Sequence, residues 1–308
     1  MKTCKATRYV LVICLILAGS FFLAGCTEKA PDAGVVKTDA GSVSGINQSG
    51  LQVSPGIPFA APPAVSFNAT PVHYAPVNGV TLGYREFGAG EPLLMITGFG
   101  NTMTDWNETF IGILATKYHV YIYDHRGMGN STDNNATPAI AQYADDAAAL
   151  MPALGYDSMN VYGISMGSSV SQQLVIDHPE RVRKLILDSS ACSVRLPETQ
   201  KLLGIIESAA ADPGQPDGIR KEAQANLAWN GTCTNLSGIH KDVMLVVGTA
   251  DVLTPDPVSV QMAGQINGSW LVRFKGLPHV GSHYAPVEYG ENALMFLGTD
   301  ESPLNTKN

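Results

Sequence analysis

Short apolar runs alternate with longer amphipathic stretches along residues 72–297. Residues 80–87 alternate apolar and polar positions like an exposed strand. The other runs are short and mostly apolar, which is typical of buried strands; they lie at 93–96, 120–123, 160–163, 184–187, 243–247 and 271–274. The amphipathic stretches predict helices at 106–117, 140–154, 166–178, 258–266 and 284–297. This alternation predicts an α/β fold with a mostly parallel sheet and helices on both faces.

One of these runs leads into a candidate nucleophile. Residues 160–163 are followed by the pattern G-x-S-x-G, formed by Gly163, Ser165 and Gly167, and then by a predicted helix. In this arrangement a sharp strand-to-helix turn exposes the serine hydroxyl, and the glycines let the two backbones approach. Glycine- and serine-rich turns also occur as plain loops, but the flanking strand and helix favour a nucleophile. Because ligands bind beyond the carboxyl ends of parallel strands, other site residues should follow other runs.

Two further segments accompany this turn in a fixed order. Residues 124–131 read DHRGMGNS after one predicted strand, and residues 178–182 read HPERV before another. Together with the G-x-S-x-G turn they resemble the α/β-hydrolase fold superfamily over about residues 72–297. The resemblance is closest to its serine hydrolase branch of esterases, lactonases, peroxidase-like hydrolases and aminopeptidases. It implies an α/β-hydrolase domain at residues 72–300.

The resemblance also implies an acidic member of a catalytic triad. Asp251 lies in the loop after the run 243–247 and matches the acid position of the family. In a triad the carboxylate orients the histidine and stabilises its protonated form. Asp188, at the end of an earlier predicted strand, is the competing acid.

His279 is the candidate base. It follows the run 271–274, which matches the terminal histidine loop of the family, and His283 is the alternative four residues later. The order of Ser165, Asp251 and His279 along the chain is that of α/β-hydrolases.

The oxyanion hole is expected from two backbone N–H groups. The turn at the nucleophile supplies that of Met166, and the loop after residues 93–96 supplies that of Phe99. Relatives often have a histidine that braces this loop, where the present chain has Thr97. The substitution leaves the expected reaction class unchanged but alters the hydrogen bonding of the loop.

The N-terminus resembles the signal of a prokaryotic lipoprotein. Residues 10–25 are apolar, follow three basic residues and end in Leu-Ala-Gly before Cys26. The stretch is shorter than the roughly 20 residues of a membrane-spanning helix. In lipoproteins such a signal, here residues 1–25, is removed and the cysteine carries a lipid. An uncleaved anchor helix is the alternative, and both readings place the protein outside the cytoplasm, anchored to the outer face of the cell membrane.

Composition predicts a tether before the domain, a tail after it and a small lid within it. Residues 26–71 are rich in Gly, Ser, Pro, Ala and Val without a sustained period, which predicts a flexible tether. Residues 301–308 form a tail. A small lid is expected at about 190–241, with helices at 197–211 and 216–229.

Two cysteines lie in the body of the predicted domain. Cys192 and Cys233 flank the predicted lid helices. They form a candidate disulfide, because disulfides persist in exported proteins. Two buried free thiols are the alternative.

Composition and charge limit the classes of ligand and partner that the protein is expected to bind. The chain has 308 residues, of which 45% are hydrophobic, and a net charge of -8 without a run of Lys or Arg. Nucleic acid is therefore not an expected partner. The 5 cysteines form no C-x-x-C or His/Cys cluster, so no metal site is predicted. No nucleotide or flavin motif is present, and no cofactor is expected. The expected ligand is a small-molecule substrate, and the oligomeric state stays open.

The resemblance implies a serine hydrolase that acts on small carboxylic esters or lactones through an acyl-enzyme. An aminopeptidase and a cofactor-free peroxidase-like hydrolase would use the same three residues and are alternatives. A non-catalytic surface binding protein on the same scaffold is the alternative from a different class.

Overall fold

The computed structural model describes residues 64–299, which contain an eight-stranded sheet. The predicted signal 1–25, the tail 301–308 and most of the predicted tether lie outside these residues. The strands are β1 His73–Val77, β2 Val80–Phe87, β3 Glu91–Ile96, β4 Tyr118–Tyr123, β5 Met159–Ile164, β6 Val182–Asp188, β7 Asp242–Gly248 and β8 Trp270–Phe274. Their order across the sheet is β1-β2-β4-β3-β5-β6-β7-β8. β1 and β2 run antiparallel to their neighbours, and β3 to β8 are parallel.

Helices follow the parallel strands along the chain. Within the described part of the chain they are α1 Glu108–Leu114, α2 Ile140–Ala153, α3 Met166–Asp177, α4 Gln200–Ala211, α5 Asp217–Ala228, α6 Asp256–Ala263 and α7 Pro286–Gly298. None of the helices in residues 64–299 has the length and apolar character that a membrane span requires.

The sheet has a hydrophobic core on each face. Along β3, Leu93 and Met95 point into one core and Leu94 and Ile96 into the other, as the period of two in a strand requires. The first core includes residues of α1 and α7, and the second includes residues of α2, α3 and α6. The structure therefore confirms the predicted α/β architecture with helices on both faces.

Strand β1 is the element that the apolar pattern does not predict. It has five residues and contains Pro76, which has no N–H group to donate to a sheet. Only Ala75 and Val77 are buried, because β1 lies at the edge of the sheet and pairs with β2 alone. A short edge strand with a proline leaves little periodic signal in the sequence.

The body begins earlier than the predicted boundary at residue 72. Phe67 is buried, and its ring lies 5.8 Å from that of Phe87. The Phe67 N–H donates to Glu108 Oε1 at 2.7 Å, and Arg85 Nε donates to the Thr70 carbonyl at 2.9 Å. Phe67 and Thr70, which lie in the segment predicted as tether, thus contact the domain. Val65 and Val72 pack against the same core, and three apolar residues at this irregular spacing show neither a helical nor a strand period.

The lid lies between β6 and β7. A 3-10 turn at Pro197–Thr199 leads into α4, and α5 follows, so both predicted lid helices are present. The apolar side chains of the lid form one cluster that also contacts the loops after β3 and β7. Its members are Val194, Leu202, Ile206, Ala209 and Ala223, with Phe99 and Leu253 packed against them.

A disulfide closes the base of the lid. The structure joins Cys192 and Cys233, which are 41 positions apart along the chain and have their Cα atoms 4.9 Å apart. The Thr232 N–H donates to the Cys192 carbonyl at 2.8 Å, so the backbones are also paired here. The structure thus contains the predicted disulfide and not the alternative of two free thiols.

Removing the disulfide should lower stability. We expect Cys192→Ala combined with Cys233→Ala to reduce the free energy of unfolding by about 3–4 kcal/mol, because a cross-link of this span restricts the unfolded chain. Urea unfolding of the oxidised wild type and the variant measures the difference, and reduced wild type is the control. Equal midpoints for oxidised and reduced wild type would mean that the two cysteines are not bonded in the protein.

Candidate active site

Ser165 stands at the turn between β5 and α3. Its backbone has φ 54° and ψ -119°, a conformation that costs energy in a residue other than glycine. A Cβ on Gly163 would lie 2.2 Å from Ser171 Oγ, and one on Gly167 would lie 2.0 Å from the Ile96 carbonyl oxygen. Both glycines of the G-x-S-x-G pattern are therefore required by the close approach of strand and helix.

Three side chains form a hydrogen-bonded line at the carboxyl edge of the sheet. His279 Nε2 lies 2.9 Å from Ser165 Oγ, and His279 Nδ1 lies 2.8 Å from Asp251 Oδ2. They follow β5, β7 and β8, which are parallel and therefore end at the same edge. The fold thus brings together the predicted nucleophile, acid and base, while their catalytic roles stay predictions.

The Asp251 carboxylate is held on both oxygens. Oδ1 accepts the backbone N–H groups of Leu253 and Thr254 at 2.8 and 2.9 Å, and Oδ2 accepts the Thr254 hydroxyl at 2.8 Å. Burial raises the pKa of Asp251, but the charge of His279 and these hydrogen bonds outweigh it and lower the pKa overall. The group is therefore ionised at neutral pH and can stabilise a protonated imidazole.

Asp188, the competing acid, has a different environment. Its carboxyl group accepts the Tyr162 hydroxyl at 2.8 Å and the Ser189 hydroxyl at 3.0 Å. Burial raises the pKa of Asp188 to about 7, although these hydrogen bonds lower it. A carboxyl that is only partly ionised at neutral pH and binds other partners is a poorer partner for His279 than Asp251.

Ser189 supports the loop that carries His279, and no pattern in the sequence predicts this contact. Its hydroxyl accepts the Val280 N–H at 3.0 Å, next to His279. Ser189 and Val280 have φ values of 49° and 59°, which residues with a side chain rarely adopt. Neither is Gly, Asn or Asp, so the sequence carries no signal of this conformation.

His283 lies outside the hydrogen-bonded line. Its Nε2 is 2.8 Å from the Asp105 carbonyl oxygen, and the residue is exposed. This places the alternative base in a contact with the loop after β3 rather than with Ser165.

The loop after β3 lies beside the nucleophile. A Cβ on Gly98 would be 3.3 Å from Ser165 Cβ. The backbone N–H groups of Phe99 and Met166 have no hydrogen-bond partner within residues 64–299. Two free donors next to a nucleophile can stabilise an oxyanion. The arrangement fits the predicted donors, and their role stays a prediction.

The chemistry available here is nucleophilic attack by a serine hydroxyl with a histidine as base. Among residues 64–299, no three His, Cys, Asp or Glu side chains group so that they could hold a metal ion.

Comparisons with known proteins identify the fold. The model of the α/β hydrolase fold family matches residues 91–230, which include the turn at Ser165. A solved hydrolase from Pseudomonas aeruginosa superposes with a TM-score of 0.66 at 23% identity, over 75% of this chain and 100% of that one. The protein has the α/β-hydrolase fold. An enol-lactonase from Burkholderia xenovorans shares this hydrolase fold, with a TM-score of 0.64 at 20% identity over 74% of this chain and 100% of that one.

Sequence relatives match over shorter stretches of the α/β-hydrolase domain. A 2-hydroxymuconate semialdehyde hydrolase from Pseudomonas sp. is 36% identical over 131 residues, which is 40% of this chain and 44% of that protein. An acetyltransferase component of the acetoin cleaving system from Cupriavidus necator is 35% identical over 122 residues, 39% of this chain and 32% of that protein. The chain thus spans less than half the length of these two curated relatives.

Proposed function

We propose that the protein is a serine hydrolase in which Ser165 is the nucleophile, His279 the general base and Asp251 the acid. The observation that carries the proposal is the continuous line from Ser165 Oγ through His279 to Asp251, with separations of 2.9 and 2.8 Å. A serine hydroxyl becomes a competent nucleophile when such a base takes its proton.

The reaction forms and breaks one acyl-enzyme. Ser165 Oγ bonds to the substrate carbonyl carbon as its proton passes to His279 Nε2, and the carbonyl oxygen becomes an oxyanion bound by the N–H groups of Phe99 and Met166. The intermediate collapses, the bond to the leaving group breaks, and the leaving group takes the proton from Nε2. Water then attacks the acyl carbon and gives a proton to Nε2, which returns it to Ser165 as the carboxylic acid leaves.

Small carboxylic esters or lactones are the proposed substrates. The names of similar proteins, among them an enol-lactonase and a semialdehyde hydrolase, support hydrolysis of small oxygenated molecules. Phe99, in the loop after β3, and Leu253, in the loop before α6, pack against the apolar side chains of the lid. A substrate with an apolar acyl group would fit beside these side chains. An aminopeptidase, a peroxidase-like hydrolase and a non-catalytic binding protein are the competing functions.

A two-step experiment tests the proposal. The full-length protein is first treated with a fluorophosphonate probe, which labels an activated serine. A panel of p-nitrophenyl esters, lactones and aminoacyl anilides is then assayed. Labelling together with ester or lactone turnover supports the proposal, turnover of anilides alone favours the aminopeptidase, and absence of both labelling and turnover favours the binding protein.

We also propose that the protein is exported and held at the membrane by a lipid on Cys26, which lies outside the described residues. We expect Cys26→Ser to abolish incorporation of a labelled fatty acid and to leave an unprocessed precursor or a soluble form. Metabolic labelling and membrane fractionation measure this, with Cys14→Ser in the signal segment as the control. Wild-type protein found free in the medium with an unmodified Cys26 would contradict the anchor.

A further inference from the structure

A buried carboxylate of the lid contacts the loop beside the nucleophile. Glu222 lies on α5 with no exposed surface, and its Oε2 accepts the Gly100 N–H at 2.7 Å. Its Oε1 is 3.0 Å from His125 Nδ1 in the loop after β4, and that histidine ring is also fully enclosed. A buried carboxylate without partners would be costly, and here each oxygen has one.

Gly100 belongs to a tight turn that presents Phe99. The Asn101 N–H donates to the Gly98 carbonyl at 3.2 Å, which closes a four-residue turn. Gly100 has φ 73° while Phe99 has a negative φ, so the turn is of type II. A Cβ on Gly100 would meet nothing within 4 Å, so glycine is needed there for conformation rather than for space.

A carboxylate can decide the orientation of the central peptide of this turn. Rotation of the Phe99–Gly100 peptide converts type II into type I, and glycine at the third position permits both. Glu222 accepts hydrogen bonds and, when ionised, cannot donate. With its N–H toward Glu222 the Phe99–Gly100 peptide forms a hydrogen bond, whereas a rotated peptide would place the Phe99 carbonyl oxygen against the carboxylate. The Phe99 N–H lies on the preceding Gly98–Phe99 peptide, so Glu222 positions this donor by holding the turn in place, not by rotating the donor itself.

The helix that carries Glu222 is itself fixed to the body. A Cβ on Gly218 would lie 2.3 Å from the Gly127 carbonyl oxygen, so α5 touches the loop after β4 directly. Lys221 forms ion pairs with Asp133 of that loop and with Asp217 of the helix. Close beyond the end of α5, Trp229 Nε1 donates to Gln173 Oε1 of α3 at 3.0 Å, and the disulfide follows. Glu222 is thus held in place from several sides.

We propose that Glu222 is a positioning residue for the oxyanion loop, residues 97–101 after β3, which carries the Phe99 N–H, and that α5 is a fixed part of the active-site frame rather than a moving cover. The inference rests on the proposed serine hydrolase function. Thr97 and Gly98 lead from the end of β3 into this turn, and the lid carboxylate holds the turn at Gly100. Glu222 acts through Gly100 and Phe99 and does not touch the substrate.

The test compares two variants of similar volume. Glu222→Gln keeps an acceptor for the Gly100 N–H, and Glu222→Met removes it. Glu207→Gln, on the exposed face of α4, is the control. For an ester that the wild type hydrolyses, we expect Glu222→Met to lower kcat and the rate of fluorophosphonate inactivation by about 10- to 100-fold, with KM changed less than about 3-fold, because oxyanion donors act in the transition state. Glu222→Gln should stay within about 3-fold of wild type.

Amide exchange measured by NMR gives a readout that does not depend on turnover. In the wild type we expect the Gly100 amide to exchange much more slowly than the Phe99 amide, and in Glu222→Met we expect the Gly100 amide to lose this protection. The wild-type comparison remains available if Glu222→Met does not fold.

Specific outcomes would overturn the inference. These are equal exchange of the Gly100 and Phe99 amides in wild type, an unchanged kcat in a folded Glu222→Met, or a rise in KM alone. Failure of the wild type to react with the probe would instead reject the serine hydrolase, and the exchange data would still report on the hydrogen bond.

Discussion

We expect Ser165→Ala to abolish fluorophosphonate labelling and to lower kcat to the residual rate that binding and the oxyanion donors support, while the protein stays folded. The expected loss is of the order of 10⁶-fold, because removing the nucleophile of a serine triad costs about as much as removing the whole triad. The φ of 54° at this position is a property of the backbone, so alanine should be accepted there with the strain that serine already bears. Labelling and steady-state kinetics on the ester panel measure the change.

Ser208→Ala, on the exposed face of α4, is the matched control and should behave like wild type. Circular dichroism and thermal unfolding of both variants separate loss of chemistry from loss of fold. If Ser165→Ala retained labelling or turnover near the wild-type level, the nucleophile would be another residue.

His279→Ala should be nearly as damaging, with kcat lowered by several orders of magnitude to roughly the 10⁶-fold limit of triad removal. Without the imidazole, Ser165 Oγ loses the proton acceptor at 2.9 Å, and the leaving group loses its proton donor. KM should change much less than kcat, since the histidine acts mainly on the transition state.

His283→Ala is the matched control for this second variant. It removes a hydrogen bond to the Asp105 carbonyl oxygen on an exposed residue, so we expect a change of less than about 1 kcal/mol in the free energy of unfolding and a nearly unchanged kcat. Reversed effects of the two histidine substitutions would move the base to His283.

Much of the fold and the three central site residues could be predicted from the sequence, because their signals are local. Apolar runs and amphipathic periods marked the seven strands from β2 to β8 and the helices between them. Gly163 is needed by its contacts with α3 a few residues later, and Gly167 by the approach of the Ile96 carbonyl oxygen of β3, but the G-x-S-x-G spacing already marks the turn in the sequence. Asp251 and His279 each follow a strand of a parallel sheet, and such strands end at one edge.

The sequence alone does not show which aspartate pairs with His279 or that strand β1 forms; both depend on how the chain packs. Asp188 ends β6 and Asp251 follows β7, but of the two only Asp251 forms a hydrogen bond with His279, and only the folded environment raises the pKa of Asp188. Strand β1 forms because an edge of the sheet is free to pair with it, not because its own pattern is strong.

The contact between the lid and the oxyanion loop belongs wholly to the tertiary structure. Glu222 meets His125 and Gly100 across 97 and 122 positions of the chain, and a glutamate in an amphipathic helix gives no sign that it will be buried. The sequence determined this protein's strands, its turn at Ser165 and the order of its site residues, since those depend on near neighbours. The partners of its buried carboxylates depend on how distant segments pack, so they can be recognised only in the folded protein.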